Sequence, residues 1–335
     1  MKTERMGVLC NSWLVAGVWL LFAAVHSHAD EFGNNPIEST PIAQSFQISG
    51  SRFRLYFVDH FTTQEQAKLK AWIQQACAAV TLTYGKFPIP NVDVVLHKAS
   101  RANEPVPWGQ VKRPSKIRDY PQVLFHVNPS YSLKAFQDDW VAVHEFSHLL
   151  LPFAGEDDIW LSEGLATYYQ NVLRARHNML SEAMAWQKLL EGFKRGKNDI
   201  KYNHLNLASL SPIMRETGSY MRVYWSGTAY FLALDVKLRQ QSKNQTSLDS
   251  VLAKFHQCCL PSKRRWTGAA LVAKLDELSD SQVFSEYYQR YRGLQQHPDI
   301  KPLLKQLGVS LSWRGVSIVN EAPLKDIRKA IMSVP

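Results

Sequence analysis

His144, Glu145 and His148 form an H-E-x-x-H run, and Glu163 follows within Trp160-Leu161-Ser162-Glu163-Gly164-Leu165-Ala166. Residues four apart lie on one face of a helix, so both imidazoles can grip a single metal ion. Glu145 then stands beside the metal, free to move protons. A carboxylate from a neighbouring helix, Glu163, would complete three protein ligands and leave a fourth position open. That is the pattern of a catalytic zinc site rather than a closed structural one. One Zn2+ per chain, held by His144, His148 and Glu163, would polarise a peptide carbonyl and lower the pKa of water to about 7. Glu145 would take the proton of the attacking water and hand it to the departing amine. A chance H-E-x-x-H in a chain of this length is a ~1–2% event, so coincidence is a poor account of it.

The elements that must position these residues follow from periodicity. Phe53-Arg54-Leu55-Tyr56-Phe57-Val58 alternates as a half-buried strand. Thr62-Thr63-Gln64-Glu65 reads as a capping box opening a helix to about residue 83, with Leu69, Trp72, Ile73 and Ala76 on its apolar stripe. Residues 92–96 and 123–127 are β-rich runs, separated by a polar, proline-bearing loop over 99–121. Beyond residue 133 strand signals largely stop. A helix over 135–151 carries the H-E-x-x-H among Val141, Val143, Phe146, Leu149 and Leu150, and Pro152 ends it. A second, over 159–174, carries Glu163. Further helices are expected over 181–194 and 219–240, after a cap at 246–249, and over 269–278, 281–292 and 300–307. The expectation is an α+β chain: a small N-terminal mixed sheet with a long helix, the zinc-site helices, and a helical C-terminal half. Its parts divide as 51–151 with the sheet and the H-E-x-x-H helix, 152–312 with the third ligand, and a tail over 313–335.

The two motifs together resemble the gluzincin metallopeptidases, with the aminopeptidase N and glycyl-aminopeptidase families as the nearest likeness. In those families the second motif usually reads W-L-N-E-G. The resemblance implies a thermolysin-like catalytic core, a peptide or protein substrate, Glu163 as third zinc ligand and Glu145 as catalytic base. Val223-Tyr224-Trp225-Ser226-Gly227-Thr228-Ala229 is similar to the family segment whose tyrosine donates to the oxyanion, which makes Tyr224 the candidate for that role. The likeness covers roughly residues 50–312. The chain departs from the pattern in two places. Fourteen residues separate His148 from Glu163, where the aminopeptidase N family usually has eighteen. The amine-binding G-x-M-E-N motif is absent, with Trp108-Gly109 in about its place. Endopeptidase and aminopeptidase action therefore both stay open. So do two other readings: a non-catalytic binding protein that keeps the fold, and a zinc hydrolase with a non-peptide substrate.

With 335 residues, 45% of them hydrophobic, the chain can bury a sizeable core, and 20% charged with 11% aromatic residues argues against disorder. The N-terminus reads as an export signal. Lys2 and Arg5 precede an apolar stretch over 13–25, and Ser27-His28-Ala29 offers a cleavage site before Asp30. Residues 1–29 are then a signal peptide and 30–50 a polar leader, for a periplasmic or secreted protein; the alternative is a membrane anchor left uncleaved. The formal net charge is +10, densest at Lys112-Arg113 with Lys116 and Arg118, and at Lys263-Arg264-Arg265. These clusters suit a solvated surface or a weak contact with an anionic membrane or cell-wall polymer. No recognisable nucleic-acid-binding fold accompanies them, so nucleic acid is not an expected partner. In an oxidising compartment Cys77 could pair with Cys258 or Cys259, or all three could be buried thiols. Asp138 or Asp139 could orient a zinc-bound imidazole, or serve as acids at a helix N-terminus.

Overall fold

Five strands form the first sheet: β1 (Gln44–Ile48), β2 (Ser51–Phe57), β3 (Asn91–Lys98), β4 (Trp108–Lys112) and β5 (Gln122–Val127). The structure is a computed structural model and describes residues 43–115 and 118–335. The expected export signal over 1–29 and most of the leader lie outside the described residues. The sheet order is β1-β2-β3-β5-β4. β2, β3 and β5 run parallel at its centre, while β1 and β4 pair antiparallel at the two edges. β3 and β5 carry continuous apolar runs, Val94-Val95-Leu96 and Val123-Leu124-Phe125, as strands covered on both faces require, while β2 alternates through Arg52 and Arg54. The sheet is thus mixed, as expected, though it begins inside the stretch read as leader. His126 lies on β5, an interior strand, and not on the edge; β4 runs outside it.

Helix α1 (Thr63–Thr81) opens on the capping box: Glu65 N donates to Thr62 Oγ1 at 3.2 Å and Thr62 N to Glu65 Oε2 at 2.8 Å. Its stripe of Leu69, Trp72, Ile73 and Ala76 is buried. Trp72 meets Phe125 of β5 edge-on, with ring centroids 5.1 Å apart. The same layer holds Phe146, whose ring meets Phe53 at 6.2 Å and Phe125 at 5.9 Å. Phe146 stands inside the H-E-x-x-H run, so that run is fastened to the sheet through its own apolar side.

The helix expected over 135–151 is interrupted. α2 (Leu133–Asp138) ends, Asp139 turns extended, and α3 (Val141–Ser147) starts anew. The Asp139 carboxylate accepts from Val141 N at 2.7 Å. An aspartate that bonds nearby backbone offers the chain an alternative to the helix ladder, which is the reason for the break. A tight turn over His148–Leu150 follows. α4 (Ile159–Arg176), α5 (Glu182–Asn198), α6 (Leu207–Leu210), α7 (Met214–Thr217) and α8 (Tyr220–Gln241) build the helical half, with α9 (Leu248–Cys259), α10 (Gly268–Ser279), α11 (Val283–Arg292) and α12 (Lys301–Leu307) beyond. The fold is α+β, as read.

The C-terminal stretch holds more order than a tail. β6 (Val309–Ser312) and β7 (Gly315–Ile318) form a hairpin, and α13 (Lys325–Met332) packs on α4 and α8. Arg176 Nε on α4 donates to Ile331 O at 3.0 Å. Arg176 belongs to a buried network in which Asp249 accepts from both of its terminal nitrogens at 2.9 Å, from Tyr169 at 2.8 Å and from Arg239 at 3.2 Å. Asp235 accepts from Tyr168 at 2.8 Å and from Arg239 at 2.9 Å.

The pairing of Cys77 with Cys258 or Cys259 needs correction: those two are bonded to each other at the end of α9, whereas Cys77, on α1, is a buried free thiol, as the second reading had it. Among the described residues no helix is long and apolar enough to cross a membrane.

Candidate metal centre

Two helices and the turn after the first bring the motif residues together. α3 carries His144 and Glu145, and His148 opens the turn that follows it. α4 carries Glu163 one turn from its start. His144 Nε2 lies 3.3 Å and His148 Nε2 3.5 Å from the same atom, Glu163 Oε2. All three ligand atoms fall within 4.8 Å of one another.

That carboxylate oxygen is buried and has no hydrogen-bond partner. A buried unpaired carboxylate oxygen costs desolvation free energy unless something positive meets it. A tetrahedral zinc with bonds of about 2.0–2.1 Å separates its ligand atoms by about 3.3 Å, which matches both histidine–glutamate distances. Two imidazole nitrogens and one carboxylate oxygen are also the right donor types for zinc. The residues present therefore fit the metal the sequence suggests.

The outer nitrogens of both imidazoles are occupied. His144 Nδ1 lies 2.7 Å from Gln170 Oε1, and His148 Nδ1 lies 3.1 Å from Ser162 Oγ. Arg113, at the end of β4, donates to His148 O, and Arg118 donates to Arg113 O at 2.8 Å. Arg113 of the basic cluster is thus not simply solvated: it turns inward to the metal-binding turn. Asp138 and Asp139 do not approach the imidazoles' outer nitrogens. Asp138 pairs with Lys134 on the surface, and Asp139 serves the start of α3.

Burial dominates the electrostatics. It raises the Glu145 carboxyl to about 7, with the Glu163 charge pushing the same way and His144 pulling back. It lowers His148 to about 3, reinforced by His144 and Arg113 and opposed by Glu163. For His144, burial also disfavours the proton, but the adjacent Glu163 carboxylate and the Glu145 charge outweigh it, so its pKa rises. Burial works to raise Glu163 as well, and the two histidines overcome it to hold the carboxylate low. Arg113 falls to about 10 through burial, partly offset by Glu163.

Tyr224, on α8, lies close to the Glu163 carboxylate, with its ring stacked at 6.1 Å from that of His144. Burial and the neighbouring carboxylates push its phenol well above the usual tyrosine range, so it keeps its proton. Its approach depends on a close crossing of α4 and α8. A Cβ on Gly164 would lie 2.3 Å from the Gly227 carbonyl carbon, and one on Gly227 would lie 2.0 Å from Trp160 O. Backbone meets backbone there, and only glycine permits it. Gly109 of β4 does the same for the base: a Cβ there would lie 2.8 Å from Glu145 Cγ.

All five residues singled out from the sequence thus converge. Gln170, Ser162 and Arg113 were not singled out. Gln170 was within reach of a helical-face argument, since it lies two turns from Glu163 on the same side of α4. Arg113 gave no signal beyond its charge.

No protein-family model matches this chain, and no curated protein matches it. Among solved structures, it is similar to an aminopeptidase N family protein from Idiomarina loihiensis, with a TM-score of 0.60, 14% identity, 84% of this chain covered and 52% of that one. It also matches a two-domain M1 zinc metallopeptidase variant bound to L-arginine, at TM-score 0.47 and 14% identity, covering 76% of this chain and 52% of the other. A third match is an M1 zinc metallopeptidase from Deinococcus radiodurans, at TM-score 0.45 and 15% identity, covering 76% and 51%. The first match establishes a fold shared with that aminopeptidase N family protein. The chain spans about half the length of the structures it resembles.

Proposed function

We propose that the chain is an exported zinc metallopeptidase that hydrolyses peptide bonds. The observation that carries this reading is Glu163 Oε2, buried without a hydrogen-bond partner and faced by two imidazole Nε2 atoms. Zinc bound by His144, His148 and Glu163 supplies Lewis acidity toward a carbonyl and toward water. Glu145 takes a proton from the attacking water as the carbon–oxygen bond forms and the carbonyl π electrons move to oxygen. It then delivers that proton to the amide nitrogen as the carbon–nitrogen bond breaks. Tyr224, still protonated, donates to the oxygen on which negative charge develops.

The first test is cleavage of peptide libraries with free and blocked N-termini, with and without a chelator. Chelator-sensitive cleavage of either library is expected. Cleavage of free N-termini alone assigns an aminopeptidase, and internal cleavage an endopeptidase. No chelator-sensitive cleavage would leave a binding protein or a hydrolase of non-peptide substrates.

Tyr224→Phe is expected to lower kcat by roughly 10²–10³-fold, the loss typical of one oxyanion donor, with zinc stoichiometry retained. An unchanged kcat would reduce Tyr224 to a packing residue. Export is supported by Lys2, Arg5, the apolar stretch over 13–25 and the Ser27-His28-Ala29 site. N-terminal sequencing of the protein recovered from its native host should begin at Asp30; a chain that retains residues 1–29 would speak for the anchored alternative.

A further inference from the structure

We propose that Gln170 is a positioning residue of this centre, fixing His144 as an Nε2 ligand through a neutral acceptor, with Ser162 acting in parallel on His148. The proposal rests on the reading of His144, His148 and Glu163 as a metal site. Gln170 is 8% exposed, and its Oε1 lies 2.7 Å from His144 Nδ1. An amide oxygen only accepts, so Nδ1 must carry the imidazole proton. The lone pair is then on Nε2, the nitrogen that faces Glu163 Oε2. Ser162 Oγ lies 3.1 Å from His148 Nδ1; its hydroxyl can either donate or accept, and in the tautomer with a bare Nε2 it accepts the Nδ1 proton.

Both partners come from α4, the helix that also brings Glu163. Ser162 directly precedes the glutamate, and Gln170 follows it by seven residues, two turns along the same face. One helix therefore supplies the third ligand and a partner for each of the other two. Neither orienting group is a carboxylate. A carboxylate on the outer nitrogen makes an imidazole more basic, whereas an amide fixes the ring without adding negative charge. The prediction is an order of affinities as well as a loss.

Zinc affinity of the full chain, measured by competition with a chromogenic chelator, tests this. Gln170→Leu is expected to bind Zn2+ roughly 10- to 100-fold more weakly, the usual effect of removing an outer partner of a histidine ligand. Gln170→Glu should bind as tightly as the wild type or more tightly. Thermal unfolding of the metal-free forms should be alike, since a purely structural role would lower that stability and leave affinity alone. Gln170→Met, of matching length, gives a second reading should leucine disturb the packing. Wild-type-like affinity in both the leucine and methionine variants would overturn the proposal while leaving the metal site intact. Failure of the wild type itself to bind Zn2+ would overturn the metal reading and this proposal with it.

Discussion

Glu145→Gln is expected to lower kcat by about 10²–10⁴-fold, the usual worth of a general base, while the protein still binds one zinc. The substitution is nearly isosteric, so it respects the tight fit of the side chain against Gly109. It removes only the ability to take up and release a proton. None of the three ligand atoms belongs to residue 145, and the imidazoles keep their contacts with Gln170 and Ser162. The measurements are kcat on a cleaved peptide and zinc content by elemental analysis on the same preparation. Activity within tenfold of wild type would remove Glu145 as the base. Loss of zinc along with activity would mean that its charge helps to hold the metal.

Asp249→Ala should cost about 3–5 kcal/mol of stability, the range for removing one partner of a buried ion pair. Asp249 is 2% exposed and accepts from Arg176, Arg239 and Tyr169 at once. Alanine leaves the Arg176 guanidinium buried without its carboxylate, and Arg239 with Asp235 alone. The same Arg176 holds Ile331 O, so α13 should loosen early. Urea unfolding followed by far-UV circular dichroism measures the change. A loss under about 1 kcal/mol, the scale of an exposed ion pair, would show that the network is not a keystone of the helical half.

The metal set was legible because its chemistry is local: two histidines four apart, then a glutamate opening the next helix. Tyr224 became visible only through a family likeness, since nothing in its own spacing separates it from other buried tyrosines. β3 and β5 announce themselves by buried apolar runs, and β2 by its alternation. β1 and β4 do not: Gln44–Ile48 and Trp108–Lys112 are short edge strands with few apolar residues, held by backbone pairing with a neighbour. Asp249 entered the sequence reading only as part of a cap over 246–249, because its partners Arg176 and Tyr169 lie 73 and 80 residues away. Arg113 read as surface charge for the same reason; its acceptor is the carbonyl of His148, 35 residues on. Asp139 broke one expected helix into two because a single side chain competed with the ladder. Long-range polar partners, not apolar periodicity, are what escaped.

The crossing of α4 and α8 at Gly164 and Gly227 also calibrates the centre. Gly164 follows Glu163 directly, and Gly227 lies one turn past Tyr224. No side chain intervenes between the two backbones there, so their contact works as a fixed gauge. Side chains elsewhere around the centre can change in size and character without shifting the tyrosine hydroxyl relative to the carboxylate. The surroundings are thereby free to drift while the reactive geometry stays in register, at the expense of two positions that can accept no Cβ.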